Sequence, residues 1–199
     1  MISLVLGLGN VGRKYLGTRH NVGFEVADRA AELLKAEPRQ SSDEYRWSVA
    51  SVDEREIVIA WPRLFMNRSG IAAARLLETR HLTPDEMLVV VDDFNLPLER
   101  LRFRQRGSDG GHNGLLSLIE CLGTDNFPRL RLGIGQDISE SAFAKMNAIE
   151  FVLGHFTSQE RTRVDRMVAT AADAVLFAMA HRLEDAMSKY NNPALPDIL

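Results

Sequence analysis

Leu4-Val5-Leu6 runs directly into Gly7-Leu8-Gly9-Asn10, and this junction constrains the fold more than any other stretch. The apolar run reads as a short buried strand. Glycines at its end let the backbone turn tightly and approach a ligand. Tyr15, Thr18, Arg19, His20 and Asn21 then fall near the carboxyl end of that strand, where open α/β sheets bind their ligands. His20 is the first candidate for a general base in that crevice.

Gly7-x-Gly9-x-x-Gly12 matches the dinucleotide-binding fingerprint letter for letter. That fingerprint needs a helix opening inside the glycines and an acidic residue about 20 positions further on, at the end of the next strand. Here Arg13, Lys14, Tyr15, Leu16 and Gly17 carry no helical stripe, and the next strand-like run begins only at Tyr45. Nicotinamide and flavin are therefore not expected, and no other cofactor is.

The chain has 199 residues, 45% of them hydrophobic, which suits one domain spanning 1–199 with no internal repeat. A single cysteine excludes an internal disulfide and suits a reducing compartment. Cys121, within Leu118-Ile119-Glu120-Cys121-Leu122, reads as a buried helix residue and not a nucleophile. The first residues lack the zones of a signal peptide, and no apolar run is long enough to span a bilayer. A cytoplasmic monomer without membrane contact is the expectation. The formal net charge is −3, so a nucleic-acid partner would have to meet a local basic patch.

Periodicity places helices over residues 22–35 and from about 70 to 77, with Asn67 or Ser69 as a possible cap of the second. Residues 36–44 read as a loop. Residues 45–52 and 57–61 form a hairpin about Asp53-Glu54-Arg55-Glu56. Residues 87–91 are apolar without alternation, which marks a central strand ending in Asp92-Asp93. Residues 100–106 alternate strictly, with Arg100, Arg102, Arg104 and Arg106 on one side and Leu101, Phe103 and Gln105 on the other. A glycine-rich loop then carries Asp109, His112 and Asn113 into a helix ending near Leu122. Residues 129–134 form a strand with Arg129 and Arg131 on one face. Residues 136–146 read as irregular and mobile, residues 157–190 as a long helical region, and residues 191–199 as a loose tail. These elements imply an α/β fold, a three-layer αβα sandwich about a twisted mixed sheet.

Four loops thus offer polar groups after a strand: Asn10 with His20, Met66-Asn67, Asp92-Asp93, and His112-Asn113. This combination resembles the bacterial peptidyl-tRNA hydrolase family. The resemblance rests on Val5-Leu6-Gly7-Leu8-Gly9-Asn10-Val11-Gly12, on Tyr15 with Thr18-Arg19-His20-Asn21-Val22-Gly23, and on Phe65-Met66-Asn67-Arg68-Ser69-Gly70. It continues through Asp92-Asp93-Phe94-Asn95-Leu96-Pro97, Gly110-Gly111-His112-Asn113-Gly114-Leu115, Arg129-Leu130-Arg131-Leu132-Gly133-Ile134-Gly135 and Phe151-Val152-Leu153-Gly154. It implies a peptide esterified to the 3′ ribose of tRNA as substrate. His20 would then be the catalytic histidine and Asp92 the carboxylate that holds it. Asn10, Asn67 and Asn113 would place the peptide and the reacting water, and Tyr15 and Met66 would line the cleft. Arg104 and Arg131 would meet tRNA phosphate. Asp109, Asn95 and Arg106 depart from the family's usual choices, and Asp109 brings negative charge close to Arg104 and Arg106.

The residue types suit ester hydrolysis by themselves. Histidine titrates near neutrality, a carboxylate on its other nitrogen fixes its tautomer, and an asparagine amide can stabilise an oxyanion. An ester's leaving group needs neither a metal nor a covalent nucleophile. No metal set is evident, since His81, His112, His155 and His181 stand alone in the sequence. Plainer readings exist: Asp92-Asp93 as a solvated strand end or a Mg²⁺ ligand, Met66 as core, the asparagines as turn formers, and the arginine row as protection of an edge strand. A catalytically silent RNA-binding scaffold of the same fold is the alternative function.

Overall fold

Among the described residues, 1–135 and 147–191 of the computed structural model, one mixed sheet of seven strands organises the chain. The strands are β1 (Leu4–Gly7), β2 (Gln40–Ser41), β3 (Tyr45–Val52), β4 (Arg55–Pro62), β5 (Met87–Pro97), β6 (Leu101–Arg104) and β7 (Arg129–Gly135). Their spatial order is β2-β3-β4-β1-β5-β7-β6. β1 runs parallel to both β4 and β5, with Leu4 beside Val58 and Met87, and β5 runs parallel to β7. The β2–β3 and β3–β4 pairs and the edge strand β6 against β7 are antiparallel. The readings of residues 136–146 and 192–199 lie outside the described residues.

Helices α1 (Val22–Leu33), α2 (Ser69–Arg80), α3 (Asn113–Leu122), α4 (Ala148–Leu153), α5 (Ser158–Ala180) and α6 (Leu183–Tyr190) cover the sheet. Alternation along the strands decides which helix meets which face. Val5, Leu88, Val90, Leu130 and Leu132 pack with Val22, Val26 and Ala30 of α1 and with Val164, Ala171 and Val175 of α5. Leu4, Leu6, Val58, Val89 and Val91 pack with Ala72 and Leu76 of α2 and with Leu115 and Leu118 of α3. The result is the expected three-layer arrangement, and it explains why the central strands carry no polar alternation.

The first glycines serve packing. A Cβ on Gly7 would lie 2.5 Å from the Gly23 carbonyl oxygen, and one on Gly9 would lie 2.8 Å from the Phe24 ring. Helix α1 therefore presses onto the end of β1 at the place where a dinucleotide fingerprint would open towards pyrophosphate. The expectation that these glycines approach a ligand gives way to a helix–strand contact.

Several boundaries differ from the periodicity. The Asp53-Glu54 turn holds both residues at positive φ, 49° and 62°, which matches the right-handed twist of the hairpin despite the absence of glycine. β5 continues beyond Asp92-Asp93 to Pro97, because a register shift lets Pro97 pair with Gly135 of β7. Residues 36–44 are not all loop, since Gln40 and Ser41 pair with Trp47 and Arg46. Neither Asn67 nor Ser69 caps α2: the capping position is Arg68, after a 3₁₀ turn over Met66–Arg68. The start of α2 is satisfied from the side, where the Gly70 N–H donates to Ser117 Oγ of α3 at 3.0 Å.

The long C-terminal helix breaks at His181, which is extended at φ −129° and ψ 172°. The break turns α6 back onto β6, where Tyr190 meets Phe103 with ring centroids 6.3 Å apart. Asn191, assigned by sequence to the loose tail, accepts from the Phe103 N–H at 2.6 Å and donates to its carbonyl at 3.1 Å. Cys121 is exposed, not buried, because it lies at the end of α3, a turn beyond the inward-facing Ser117 and Leu118. Helix α4 carries too short a pattern to be foreseen.

Candidate active site

His20 sits on a single 3₁₀ turn, Arg19–Asn21, between the β1 loop and α1. Asp92 lies on β5, just past the Gly7–Val90 pair that ends the β1–β5 ladder. The parallel pairing thus brings two groups 72 residues apart to one end of the sheet. His20 Nδ1 lies 2.9 and 3.0 Å from the two Asp92 carboxylate oxygens. His112 Nε2 lies 2.9 Å from Asp92 Oδ1. No role for His112 is legible from the sequence alone. It caps α3, and its Nδ1 accepts the N–H groups of Gly114 and Leu115 at 3.0 and 3.3 Å.

These contacts fix the protons. His112 Nδ1 accepts, so the proton is on Nε2 and is donated to Asp92. An ionised carboxylate only accepts, so His20 donates from Nδ1 and its Nε2 keeps a lone pair. Burial by itself would raise the Asp92 carboxyl. The electrostatic attraction of the two imidazole N–H groups of His20 and His112, with a hydrogen bond from each, reverses this and holds it well below the usual carboxylate range. His20 lines a cavity of about 60 Å³ together with Phe94, His112, Asn113, Ile149 and Val152.

His20, Asp92 and His112 could also offer three ligand atoms to a metal, all within 4.8 Å of one another. The expectation that His112 stands alone is thereby corrected. Ligands on a tetrahedral ion at 2.0–2.1 Å would be about 3.3 Å apart. The observed 2.9 Å separations from Asp92 Oδ1 are instead those of shared protons, and each is accounted for by an N–H.

Asn10 is buried and oriented from three directions. Its backbone N–H donates to Asn21 Oδ1 at 2.8 Å, and Asn21 Nδ2 returns a bond to its carbonyl at 2.9 Å. Its Oδ1 accepts the Met66 N–H at 2.8 Å, which leaves the Asn10 amide NH₂ as a donor. Met66 is buried against Gly114, where a Cβ would lie 2.6 Å from its sulfur. Asn67 and Asn113 are exposed, and Asn113 borders the cavity beside His20. Tyr15 meets the exposed Phe65 edge-on at 6.4 Å.

A second set of contacts, missed in the sequence, clamps the His20 turn. Arg19 is 5% exposed, with Nη2 at 3.0 and 2.8 Å from the two Glu160 oxygens and Nη1 on the His155 carbonyl. Its guanidinium lies over the rings of Phe151 and Phe156. Glu160 also completes the capping box of α5 with Thr157. The box is legible in Thr157-x-x-Glu160, but its long-range partner is not.

The proposed phosphate residues lie on β6 and β7. Arg102 pairs directly with Arg131, and Arg104 with Arg129. Arg129 is 1% exposed and donates to the carbonyls of Gly107, Ser108 and Asp125. Burial, with the charge of Arg131, pushes it down to about 10 against the pull of Asp125. Arg131 pairs with Asp93 at 2.7 Å.

The family model for peptidyl-tRNA hydrolase matches residues 4–197. The chain belongs to the peptidyl-tRNA hydrolase family. It is 38% identical over 191 residues to the peptidyl-tRNA hydrolase of Persephonella marina, covering 96% of this chain and 98% of that one. It is 40% identical over 191 residues to that of Chlorobaculum parvum, with the same coverage of 96% and 98%. The crystal structure of peptidyl-tRNA hydrolase from Acinetobacter baumannii superposes with a TM-score of 0.84 at 28% identity, over 96% of this chain and 94% of that one.

Two residues that read in sequence as departures from the peptidyl-tRNA hydrolase family make local contacts. The Asn95 N–H donates to Asp93 Oδ1 at 3.0 Å. Asp109 Oδ2 accepts the Gly111 N–H at 2.8 Å, and Asp109 borders a small hollow with Arg131.

Proposed function

We propose that the protein hydrolyses the ester between a peptide, or an N-blocked amino acid, and the 3′ ribose of tRNA, through a water activated by His20. The observation that carries this reading is the His20–Asp92 contact at 2.9 Å, which leaves Nε2 as the free base at the cavity. Nε2 takes a proton from water as the oxygen attacks the ester carbonyl. The Asn10 NH₂ faces the developing oxyanion. Asp92 stabilises the imidazolium, and the proton passes to the departing 3′ oxygen. The products are a free carboxylic acid and a tRNA with its 3′ hydroxyl restored.

Tyr15, Met66, Asn67 and Asn113 bind the substrate around this centre, and Arg104 and Arg131 contact tRNA phosphate. Arg131 shares its guanidinium between that phosphate and Asp93. One chain supplies every group, so the protein acts as a single-domain monomer, in the cytoplasm where its substrate is made. No metal or cofactor takes part. The test is turnover of an N-blocked aminoacyl-tRNA by the purified protein before and after EDTA. Undiminished turnover is expected with tRNA folding controlled. Loss restored by Mg²⁺ would reassign Asp92 to metal binding, and no turnover at all would leave the protein an RNA-binding scaffold.

A further inference from the structure

The turn that carries His20 has little of its own to hold it. It is a single 3₁₀ turn, and Thr18, Arg19, His20 and Asn21 are all polar and all buried. No apolar side chain among them anchors the turn in the core, so polar contacts set its place. Asn21 ties it back to Asn10 at 2.8 and 2.9 Å, and Thr18 donates to the Tyr15 carbonyl at 2.8 Å. Both partners belong to the segment that leads into the turn. Arg19 carries its contacts to the opposite side, at the junction of α4 and α5.

The Arg19 N–H donates to the Gly154 carbonyl at 2.9 Å, and its Nη1 reaches the next carbonyl, that of His155. Its guanidinium lies 4.6 Å from the ring centre of Phe151, the buried residue of α4. Ile149 and Val152 of the same short helix line the cavity beside His20. One side chain therefore touches both the turn of the base and the seat of the cavity wall. The support behind it is rigid. Glu160 stands in the first turn of α5, a helix of 23 residues whose Val164 and Met167 are buried in the core. The next residue, Arg161, pins that turn to Glu25 of α1 at 2.7 Å. Burial by itself would raise the Glu160 carboxyl, but hydrogen bonds from Thr157 and Arg19 and the charge of Arg19 hold it down, so the pair is ionised.

The plainer use of Arg19 is a staple for the fold. A buried ion pair, however, adds little net stability over apolar side chains of similar volume, and an apolar chain would pack between the Phe151 and Phe156 rings. Arg19 Nε is also buried without an acceptor among the described residues, a cost that stability alone does not favour. What a planar fork on a fixed carboxylate supplies is a defined position. We propose that Arg19 is a positioning residue for the hydrolysis: braced by Glu160, it fixes His20 against Asp92 and sets the α4 wall at a constant distance from the base. The proposal rests on the hydrolase reading.

The experiment compares the full-length wild type with Glu160→Gln and with the double variant Arg19→Met, Glu160→Gln. Glutamine keeps the capping box of α5, and the double variant leaves no buried charge unpaired. Four quantities are measured: kcat on an N-blocked aminoacyl-tRNA, affinity for deacylated tRNA, melting temperature, and exchange of the imidazole N–H protons by ¹⁵N-edited NMR. His112 is the internal control, since its Nε2–H meets the same carboxylate from the cap of α3, outside the clamp. The double variant should melt near the wild type and bind tRNA as well. It should lose kcat by about 10²-fold, the cost of a misplacement of about 1 Å, and exchange the His20 Nδ1–H quickly while the His112 Nε2–H stays protected. Glu160→Gln, which can still accept from Arg19, should fall between. Wild-type kcat in the double variant would leave Arg19 a staple. A lower kcat with both imidazole protons protected would also overturn the proposal, because the loss would not pass through His20. If the double variant does not fold, Glu160→Gln decides, and unchanged kcat with unchanged His20 exchange overturns it. A wild type that does not hydrolyse the ester would instead overturn the hydrolase reading, while the NMR comparison still tests the placing of His20.

Discussion

The cluster at Asp92 and the arginine rungs of β6 and β7 lie on neighbouring parts of one sheet and treat charge in opposite ways. At Asp92 a single carboxylate, 3% exposed, receives two imidazole N–H groups, and every proton has an assigned place. On β6 Arg102 and Arg104 share one face with no carboxylate partner among the described residues. The first arrangement is finished without substrate; in the proposed reading the second is completed by one. The contrast separates catalysis from binding: changes at the finished cluster should act on kcat, and changes at the open rungs on KM and salt dependence. Asp92 and Asp93, adjacent on β5, belong one to each region.

The sharpest attempt to break this division is His20→Ala. It removes the base and should lower kcat by about 10²–10⁴, with tRNA affinity close to that of the wild type. Steady-state kinetics and a binding isotherm decide it, and near-normal turnover in a folded variant would end the mechanism. The pH profile gives an independent check. Asp92 is held below its ordinary value of 3.8, so it remains ionised at moderate acidity and cannot cause a loss of activity there. Its contribution to stability is fully present above 3.8 and is lost only as pH falls through the depressed folded value. An acid limb at mild pH must therefore report an imidazole, and an activity flat from mild acid to neutrality would argue against His20.

Asp92→Asn should follow closely in size, by up to about 10⁴ in kcat. Two donors converge on this residue, and an amide can accept at its oxygen but must donate at its nitrogen. The NH₂ would face His20 Nδ1 or His112 Nε2 and force the wrong tautomer on one ring. Retention of more than a tenth of wild-type kcat would mean that the carboxylate does not govern the base.

How much of this was legible in the sequence divides along the same line. The strand–glycine junction, the apolar run before Asp92 and the strict alternation of residues 100–106 each reflect local periodicity, and the fold class followed from them. His20, Asp92 and Asn10 stand out in the sequence because polar groups after strands gather at one sheet end, and the structure brings His20 and Asp92 into contact there. His112 was passed over because a capping histidine looks the same in sequence whether or not its far nitrogen meets a carboxylate 20 residues away. Arg19 was passed over for a similar reason: its partner Glu160 is 141 residues distant. The role of Gly7 and Gly9 was misjudged because closeness to a helix and closeness to a ligand demand the same missing Cβ. The continuation of β5 to Pro97 depends on a register shift that no periodicity announces.

His112→Gln should have a smaller effect. It removes one of two donors to Asp92 and leaves His20 in place. A hydrogen bond to a charged group contributes about 1.5–3 kcal/mol, so kcat should fall by about 10–100-fold, with KM for tRNA little changed. The variant also weakens the cap of α3, so a melting curve must accompany the kinetics. A loss of stability with unchanged kcat would make His112 a cap and nothing more.

The smallest effects belong to the open rungs, and here the comparison itself predicts an inequality. Arg104→Ala and Arg131→Ala should both raise KM for tRNA and leave kcat nearly unchanged, each reducing the salt slope by at most about 0.7–0.9. The two are not equivalent. Arg104 has no carboxylate partner among the described residues, whereas Arg131 already pairs with Asp93 at 2.7 Å and is about a quarter exposed. A cation that shares its charge with a fixed carboxylate releases less condensed counterion when phosphate arrives, so Arg131→Ala should flatten the slope less than Arg104→Ala. Removing Arg131 also leaves Asp93, 6% exposed, without its counter-ion beside Asp92. The double variant Arg131→Ala with Asp93→Asn separates the two consequences. If the slope stays at its single-variant value while any loss of kcat is recovered, Arg131 binds phosphate and its effect on chemistry passes through Asp93. If Arg131→Ala flattens the slope as much as Arg104→Ala, the ion pair with Asp93 does not persist in solution, and the two rungs are alike.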